Sequence, residues 1–370
     1  MQQFLGSFFQ KVMKAWSWVS LISMAVLIKV ISFFPGIVER YYTYGVYPVI
    51  SKVQRIVFGW LPISIGDLLY ASIVLIILVK GFQLGMAIFQ KKISRQFLLA
   101  AFKQFVFILM FVYVFFYALW GLNYNRLGIS SQLQLQVRQY TVQDLDTLTG
   151  ILQQRLNVYA RQVDSVRRAS LHNKRKLFNK SFDAYNEIDK QYPFLNYSHV
   201  SIKPSLYTYL GQFFGFTGYY NPFSGEAQVR TNVPVFIQPY IATHEIAHQL
   251  GYAKENEANF VAFLVCRSYN DPDFKYSLYY DLYNYSVSEL FRYNLQLGKQ
   301  YQQKLDTQVK KDARELWKFY SRTRNFVEPF ISKMYDEYLR MNNQPKGKRT
   351  YNEVVAWLIA YYKKFGKEAL

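Results

Sequence analysis

Three long apolar runs occupy the first third of the chain. They are AWSWVSLISMAVLIKVISFF (15–34), LLYASIVLIILVKGFQLGMAIF (68–89) and QFVFILMFVYVFFYALWGL (104–122). Each matches the ~20 residues that a helix needs to cross the hydrocarbon core of a membrane. The third run carries no charge, and the first two each contain one lysine, Lys29 and Lys80, which can snorkel or face a neighbouring helix. The pattern predicts three transmembrane helices.

The loop charges predict an orientation for these helices. No small-residue cleavage site follows the first run, since FFPGIVERYY comes next, so a cleaved signal peptide is not expected. The short KKISR loop between the second and third runs is the densest basic cluster, denser than Arg40, Lys52 and Arg55 in the first loop. The positive-inside rule therefore places that loop in the cytoplasm, together with Lys11 and Lys14. We expect an integral protein of the cytoplasmic membrane, with the lipid bilayer as partner and everything after Leu122 outside.

After about Asn123 the pattern becomes that of a folded, water-exposed part. Thr141 and Asp144 predict a capping box, which starts a helix with one leucine stripe, and KRKLFNKSFDAYNEIDK (174–190) predicts a second amphipathic helix. The stripe consists of Leu145, Leu148, Leu152 and Leu156. Residues 198–234 are rich in Gly, Pro, Ser and β-formers and predict a few short strands, one of them over 226–232. Helices follow, including one started by Thr350 and Glu353. Its apolar run VVAWLIAYY is too short to span and is expected in the core.

Composition and charge indicate which partners the protein can be expected to bind. Of 370 residues, 19% are aromatic, and the formal net charge is +20. The basic residues are spread from Lys11 to Lys367 without a block that would follow a phosphate backbone, so no nucleic acid is expected as a partner. Basic residues near the bilayer favour contact with anionic lipid. The one cysteine, Cys266, lies in the apolar stretch FVAFLVC, which indicates a packed thiol.

The stretch ATHEIAHQLGYAKENEANF (242–260) carries candidate chemistry. His244 and His248 lie four apart, so on a helix both imidazoles face one side and can bind one zinc ion. Glu245, between them, is placed to take a proton from water as a general base. The chain has four histidines in all, and the other two, His172 and His199, show no such pattern. Gly251 ends the helix.

A third ligand is expected from the acidic residues that follow. Glu255 and Glu257 both open a second helix, which Gly251 allows to pack beside the first. Glu255 is favoured because Asn259 lies four residues on, where its amide can hold a ligating histidine. Glu257 has the apolar Val261 at that offset and stays open as the alternative.

The run GEAQVRTNVPVFIQPYIATHE leads into the histidines from the predicted strand. A free strand edge beside the metal would pair with an extended peptide. Glu226 and Arg230 are candidate pocket residues on that strand, and solvated strand positions are the equally weighted alternative.

Four segments resemble a family of bacterial membrane proteins known as domain of unknown function 3810: PISIGDLLY, WGLNYNR, GYYNPFSGEAQV and HEIAHQLGYAKENEANF. The resemblance implies N-terminal spans followed by a zinc-peptidase-like domain. The EN-E-AN part also resembles the E-x-x-A-[DN] element of membrane zinc peptidases related to CAAX-processing and heat-shock peptidases. That likeness implies Glu255 as metal ligand and Asn259 as its helper, although the gap after Gly251 is shorter here.

Together these observations predict a multi-pass helical membrane anchor at 1–122 and an extracytoplasmic domain at 123–370. The second domain is expected to be a mainly α, α+β zincin-like metallopeptidase with a small β-sheet. The expected function is zinc-dependent hydrolysis of a peptide or protein substrate. The alternatives are a catalytically silent zinc-binding scaffold and a zinc hydrolase of a non-peptide cell-wall amide.

Overall fold

The computed structural model describes the backbone of residues 2–370 and the side chains of residues 15–322, 324–350 and 352–370. Lys11 and Lys14, used above for orientation, therefore lie outside the described side chains. The chain is mostly helical and forms two compact units, Met1–Ile50 with Gly66–Arg126 and Ser51–Ile65 with Leu127–Leu370. The division into domains at residues 122 and 123 stays a prediction.

The first part of the chain contains the long apolar helices. Its helices are α1 (Gln2–Ser32), α2 (Pro35–Ile37), α3 (Tyr47–Gly59), α4 (Ile65–Phe89) and α5 (Arg95–Leu119), with a π-helical segment at Val38–Val46. Three of them are long and apolar enough to span a membrane, at Ala15–Ser32, Ile65–Phe89 and Arg95–Leu119. Three candidate membrane-spanning helices are therefore confirmed. The third starts earlier than predicted because Ser94 caps it, accepting a hydrogen bond from the Phe97 amide at 3.1 Å.

Within the first unit, polar residues of the π-helical segment pair with the WGLNYNR segment. Arg126 Nη2 lies 3.1 Å from Glu39 Oε1, and both side chains are buried. Thr43 Oγ1 donates to Asn123 Oδ1 at 3.1 Å. A buried ion pair must be hydrogen-bonded to offset its desolvation, and the two Arg126–Glu39 bonds supply this. These motif residues therefore join separate stretches of the first unit.

The second unit consists of helices around a small sheet. Its helices are α6 (Ile129–Gln132), α7 (Val142–Ala160), α8 (Ser165–Ser170), α9 (Lys174–Asp189), α10 (Gly211–Phe214), α11 (Gln238–Gln249), α12 (Glu255–Ser268), α13 (Pro272–Tyr293), α14 (Leu295–Gln303), α15 (Thr307–Thr323), α16 (Glu328–Met341) and α17 (Val354–Phe365). Short 3-10 turns join several of them.

The sheet has three strands in the order β1-β3-β2: β1 (Ile202–Pro204), β2 (Gly218–Asn221) and β3 (Glu226–Val229). β1 runs parallel to β3, with Ile202 opposite Ala227, and β2 runs antiparallel to β3, with Gly218 opposite Val229. The predicted strand over 226–232 is shorter than expected and is the central strand. The prediction that it offers a free edge is therefore wrong, because both of its edges are paired.

The core of the second unit follows the predicted apolar patterns. The Thr141–Asp144 capping box forms, and all four leucines of the α7 stripe are fully buried. Helix α9 occupies the predicted segment, and α17 is a core helix with Val354, Val355 and Leu358 buried. Its predicted start is wrong: Gly347–Glu353 form a 3-10 turn and no side chain caps α17. The Glu353 carboxylate instead accepts a hydrogen bond from Asn256 Nδ2 at 3.0 Å.

Candidate metal centre

Helix α11 carries HEIAH through the interior of the second unit. All of its residues are buried, and Pro239 fits its first turn, where no intrahelical donor is needed. The four-residue spacing brings the His244 and His248 rings to a centroid distance of 4.8 Å. After the helix Gly251 adopts φ +84°, a left-handed conformation that glycine takes without strain. This turn allows α12 to begin at Glu255 and pack against α11.

The packing of α12 on α11 brings Glu255 to both histidines. His244 Nε2 lies 3.1 Å and His248 Nε2 3.6 Å from the same carboxylate atom, Glu255 Oε2. One possible ligand atom from each of the three residues lies within 4.8 Å of the others, and all three residues are buried. Two imidazoles and one carboxylate form a donor set that suits zinc with one coordination position left open.

The second nitrogen of each imidazole is held by the protein. His244 Nδ1 donates to Asn259 Oδ1 at 2.8 Å, and His248 Nδ1 donates to the Tyr252 carbonyl at 2.7 Å. A ligating histidine characteristically donates its other ring nitrogen in this way, which fixes its tautomer and its ring orientation. Both Nε2 atoms consequently face Glu255. The residues present therefore fit a divalent cation such as Zn²⁺.

Burial and mutual charge control protonation in this cluster. Burial lowers the pKa of His248, but the Glu255 carboxylate outweighs burial and raises it to about 9. Burial acts against the charged form of Glu255, and the two histidines nevertheless hold the pKa of Glu255 well below its usual range. The pKa of His244 is lowered, chiefly by burial. The cluster thus binds a proton that a cation would compete with.

Glu245 lies beside the cluster with one oxygen unused. Its side chain is buried, and among the described residues Oε2 has no hydrogen-bond partner. Burial raises the pKa of Glu245 to about 8, so this carboxyl can exchange a proton near neutral pH. A Cβ on Gly218, the first residue of the edge strand β2, would lie 2.8 Å from Glu245 Cδ. Only a residue without a side chain therefore fits against Glu245 here.

The alternative third ligand, Glu257, lies elsewhere. A Cβ on Gly128 would lie 2.6 Å from Glu257 Cδ, and Lys254 Nζ lies 3.5 Å from Glu257 Oε1. Glu257 is buried but does not belong to the His–His–Glu group. Of the two candidates, the structure brings Glu255 to the histidines.

Two residues near Glu255 were missed by the sequence analysis. Tyr335, on α16, donates from its hydroxyl to Glu255 Oε1 at 2.7 Å. The Glu255 amide donates to Gln344 Oε1 at 3.1 Å. These residues follow Glu255 by 80 and 89 positions. Because the chain holds 33 tyrosines, no local pattern marks Tyr335.

The two candidate pocket residues are buried, Glu226 at the start of β3 and Arg230 one residue after its end. Glu226 is fully buried and pairs with Lys203 Nζ at 2.5 Å, and Ser224 Oγ donates to it at 2.8 Å. Arg230 is buried as well, with Nε donating to Asn232 Oδ1 at 2.7 Å. Neither side chain is a solvated strand position. His172 and His199 are outside the His–His–Glu group, and Cys266 is a packed thiol, fully buried against Thr243.

Comparison with known proteins identifies the family of this chain. No curated protein and no solved structure matches it. A family described as "Protein of unknown function (DUF3810)" matches residues 42–359, which include α3, the apolar helices α4 and α5, and the candidate metal ligands His244, His248 and Glu255. The chain belongs to the DUF3810 family of proteins of unknown function.

Proposed function

We propose that this protein is a membrane-anchored zinc-dependent metallopeptidase with a zincin-like second unit. The observation that carries the proposal is the pair of Nε2 atoms facing one oxygen of Glu255, with each Nδ1 tied to the protein. Hydrogen bonding alone would require one partner for each ring nitrogen of a buried histidine, and it would not require both Nε2 atoms to face the same oxygen. Two imidazoles and one carboxylate converge on one point, and a second acidic residue, Glu245, lies adjacent. This is the arrangement that metal-dependent hydrolysis requires.

Each residue has a defined part in the proposed reaction. His244, His248 and Glu255 hold the zinc ion. When bound, zinc supplies Lewis acidity that makes water a stronger acid and a peptide carbonyl a better electrophile. Glu245 takes the proton of the attacking water at its unused Oε2 and passes it to the nitrogen of the leaving amine. Zinc, when bound, would oppose the effect of burial on Glu245, because a neighbouring positive charge favours the ionised carboxylate that can accept a proton.

The edge strand β2 is the proposed substrate platform. β2 pairs with β3 on one side and is the last strand of the three-stranded sheet on the other. Gly218 brings the start of β2 against Glu245, which sets that edge beside the reacting groups. An extended peptide would add to β2 as a further strand and be bound through its backbone, with little dependence on sequence.

A substrate can reach the His–His–Glu group only if part of the protein moves. His244, His248, Glu255 and Glu245 are only 5–7% exposed. Helix α16 contacts Glu255 through Tyr335, and Leu339 is its one buried residue among those described, so we propose that displacement of α16 admits the substrate. By the charge of the KKISR loop, the second unit lies outside the cytoplasm and the substrate is an extracytoplasmic peptide or protein.

The test is metal content and hydrolysis measured together on the full-length protein in detergent. Mass spectrometry should find one zinc per chain, lost in His248→Ala and in Glu255→Gln. Glu257→Gln is the matched control, a buried acidic residue on the same turn, and it should keep the metal. A quenched-fluorescent peptide library reports hydrolysis.

Glu245→Gln separates a peptidase from a scaffold. We expect it to retain zinc and to lose ~10²–10⁴-fold in turnover, the usual contribution of a general base. Zinc bound equally by wild type and Glu245→Gln, with no peptide cleaved by either, would overturn the peptidase proposal and leave a metal-binding scaffold. Absence of zinc from folded wild type after zinc is added would overturn the metal site.

A further inference from the structure

Helix α3 has the inverse of the usual amphipathic arrangement. The part that belongs to the second unit buries its polar side chains and exposes its apolar ones. The buried residues are Ser51, Gln54 and Arg55, and the exposed ones are Val53, Ile56, Val57 and Trp60, at 52%, 47%, 48% and 75%. Val53, Ile56 and Val57 recur at helical spacing on α3, and Trp60 follows directly after its last residue, Gly59, so the four extend one exposed apolar stripe. We call Val53, Ile56, Val57 and Trp60 the apolar stripe of α3.

Three side chains on the polar face of α3 donate hydrogen bonds to backbone carbonyls elsewhere in the second unit. Ser51 Oγ donates to the Gln249 carbonyl at 2.8 Å, at the end of α11. Gln54 Nε2 donates to the Pro222 carbonyl at 2.9 Å, in the turn between β2 and β3. Arg55 Nε donates to the Ser198 carbonyl at 3.0 Å. A side chain at position 225 would strike Gln54, since a Cβ on Gly225 would lie 2.6 Å from Gln54 Cβ. The helix orientation is therefore fixed.

With its polar face fixed inward, α3 must direct its stripe outward. In water, four exposed side chains of this size would be a large unfavourable surface on one short helix. The chain enters the apolar helix α4 at Ile65, shortly after Trp60, so this stretch leads directly into a membrane-spanning candidate. Tryptophan is enriched where a helix meets the lipid headgroups, and Lys52, exposed beside the stripe, is a residue that snorkels towards them.

We infer that the apolar stripe of α3 lies in the interfacial layer of the lipid bilayer and is a membrane-contact surface of the second unit. An amphipathic helix lying in the membrane plane buries its apolar side among the headgroups and acyl chains. We take the bilayer as the partner of this surface because the membrane-spanning candidate α4 begins five residues after Trp60. The inference concerns lipid contact alone and does not depend on the metal chemistry.

One consequence links this surface to the metal centre. Ser51 is bonded to the last residue of α11, and His248 immediately precedes that residue. A stripe resting on the bilayer would hold the end of α11 close to the membrane surface. If the proposed function is correct, its substrates are then peptides anchored in, or lying on, the same membrane.

Site-directed spin labelling tests the inference on the full chain in nanodiscs of equal parts phosphatidylcholine and phosphatidylglycerol. Nitroxides are attached at Val53→Cys, Val57→Cys and Trp60→Cys. The native Cys266 is fully buried and burial raises its pKa to about 12, so it should stay unlabelled. Val166→Cys, on α8, is the matched control: also a valine, and 79% exposed.

We expect collisions with oxygen to exceed collisions with a water-soluble nickel chelate at all three stripe positions. The ratio should be several-fold higher than at position 166. Equal ratios at positions 57 and 166 would overturn the inference, because the stripe would then face water. Protection from both reagents would also overturn it, since a protein surface, such as a second copy of the chain, would then cover the stripe.

A label-free measurement guards against disturbance by the nitroxide. Brominated lipid quenches tryptophans that lie at its depth, and Trp60→Phe should reduce the quenched part of the total fluorescence. An unchanged quenched part in Trp60→Phe would place Trp60 away from lipid and contradict the inference.

Discussion

Tyr335 and Glu255 are joined by a hydrogen bond that leaves the other carboxylate oxygen directed at the two histidines. The Tyr335 hydroxyl lies 2.7 Å from Glu255 Oε1, and Glu255 Oε2 lies 3.1 Å from His244 Nε2. One oxygen is held by α16 and the other is presented to the cluster. Tyr335 is thus a positioning residue for the proposed metal ligand.

Removing this hydroxyl should weaken metal binding. We expect Tyr335→Phe to raise the zinc dissociation constant ~10–100-fold, the usual cost of losing a group that orients a ligand. Competition with a fluorescent chelator measures the constant. Tyr209→Phe removes a hydroxyl from a side chain that is 75% exposed and should bind zinc as wild type does. Equal affinities in wild type and Tyr335→Phe would show that Glu255 needs no such support.

The Asn259 amide should also strengthen zinc binding, because it orients the ring of His244. Its oxygen accepts from His244 Nδ1 at 2.8 Å. Asn259→Leu removes the acceptor and frees the ring to rotate, so we expect a loss of ~10–100-fold in zinc affinity. Asn259→Asp keeps an acceptor at the same place and should lose far less. If Leu and Asp weaken binding equally, the effect comes from disturbed packing of α12 and not from the hydrogen bond.

Gly218 should matter for turnover and not for metal content. A Cβ there would lie 2.8 Å from Glu245 Cδ, so Gly218→Ala must push the carboxylate or the strand away. Small displacements of a reacting group cost up to about 100-fold in rate, and we expect a loss of that order with zinc retained. Gly85→Ala is the control, because an added Cβ meets no atom within 4 Å there. Undiminished peptide hydrolysis in Gly218→Ala would show that Gly218 does not fix the reactive position of the Glu245 carboxylate.

Asp281 should make the protein less stable as pH rises. Burial raises the pKa of this α13 carboxyl from 3.8 to about 7. Below about pH 4 both folded and unfolded chains are protonated there, so no stability is lost. Between about pH 4 and 7 the unfolded chain gives up the proton more readily, and stability falls until the folded carboxyl also ionises.

Asp281→Asn removes this pH-dependent loss. We expect the substitution to stabilise the protein by about 2 kcal/mol above pH 7, less than the full shift because the side chain is partly exposed. The gain should vanish near pH 4. Thermal unfolding in detergent across that pH range measures it, with the exposed Asp183→Asn as control. A gain that is independent of pH would mean that the carboxyl does not titrate as burial predicts.

The candidate site could be predicted from the sequence as far as its geometry is local. The HEIAH spacing fixes two imidazoles on one helix face, and the offset between Glu255 and Asn259 fixes a carboxylate and an amide on another. Gly251 marks the turn between them. These relations depend on helix periodicity alone. The strand predicted over 226–232 is present over Glu226–Val229, but the expectation of a free edge failed because a short stretch of β-formers gives no information about which neighbours will pair with it.

The sequence by itself determined the number and approximate positions of the apolar helices, the amphipathic stripes of the second unit and the local spacing of the cluster residues, because these follow from residue spacing. Tertiary structure decided which glutamate meets the histidines. Glu255 and Glu257 point roughly 200° apart on α12, so only the packing of α12 against α11 selects one of them. It also brought Tyr335 across 80 positions of chain and turned the polar side of α3 inward. Such pairings depend on the free energy of the whole packed core, which no short segment encodes.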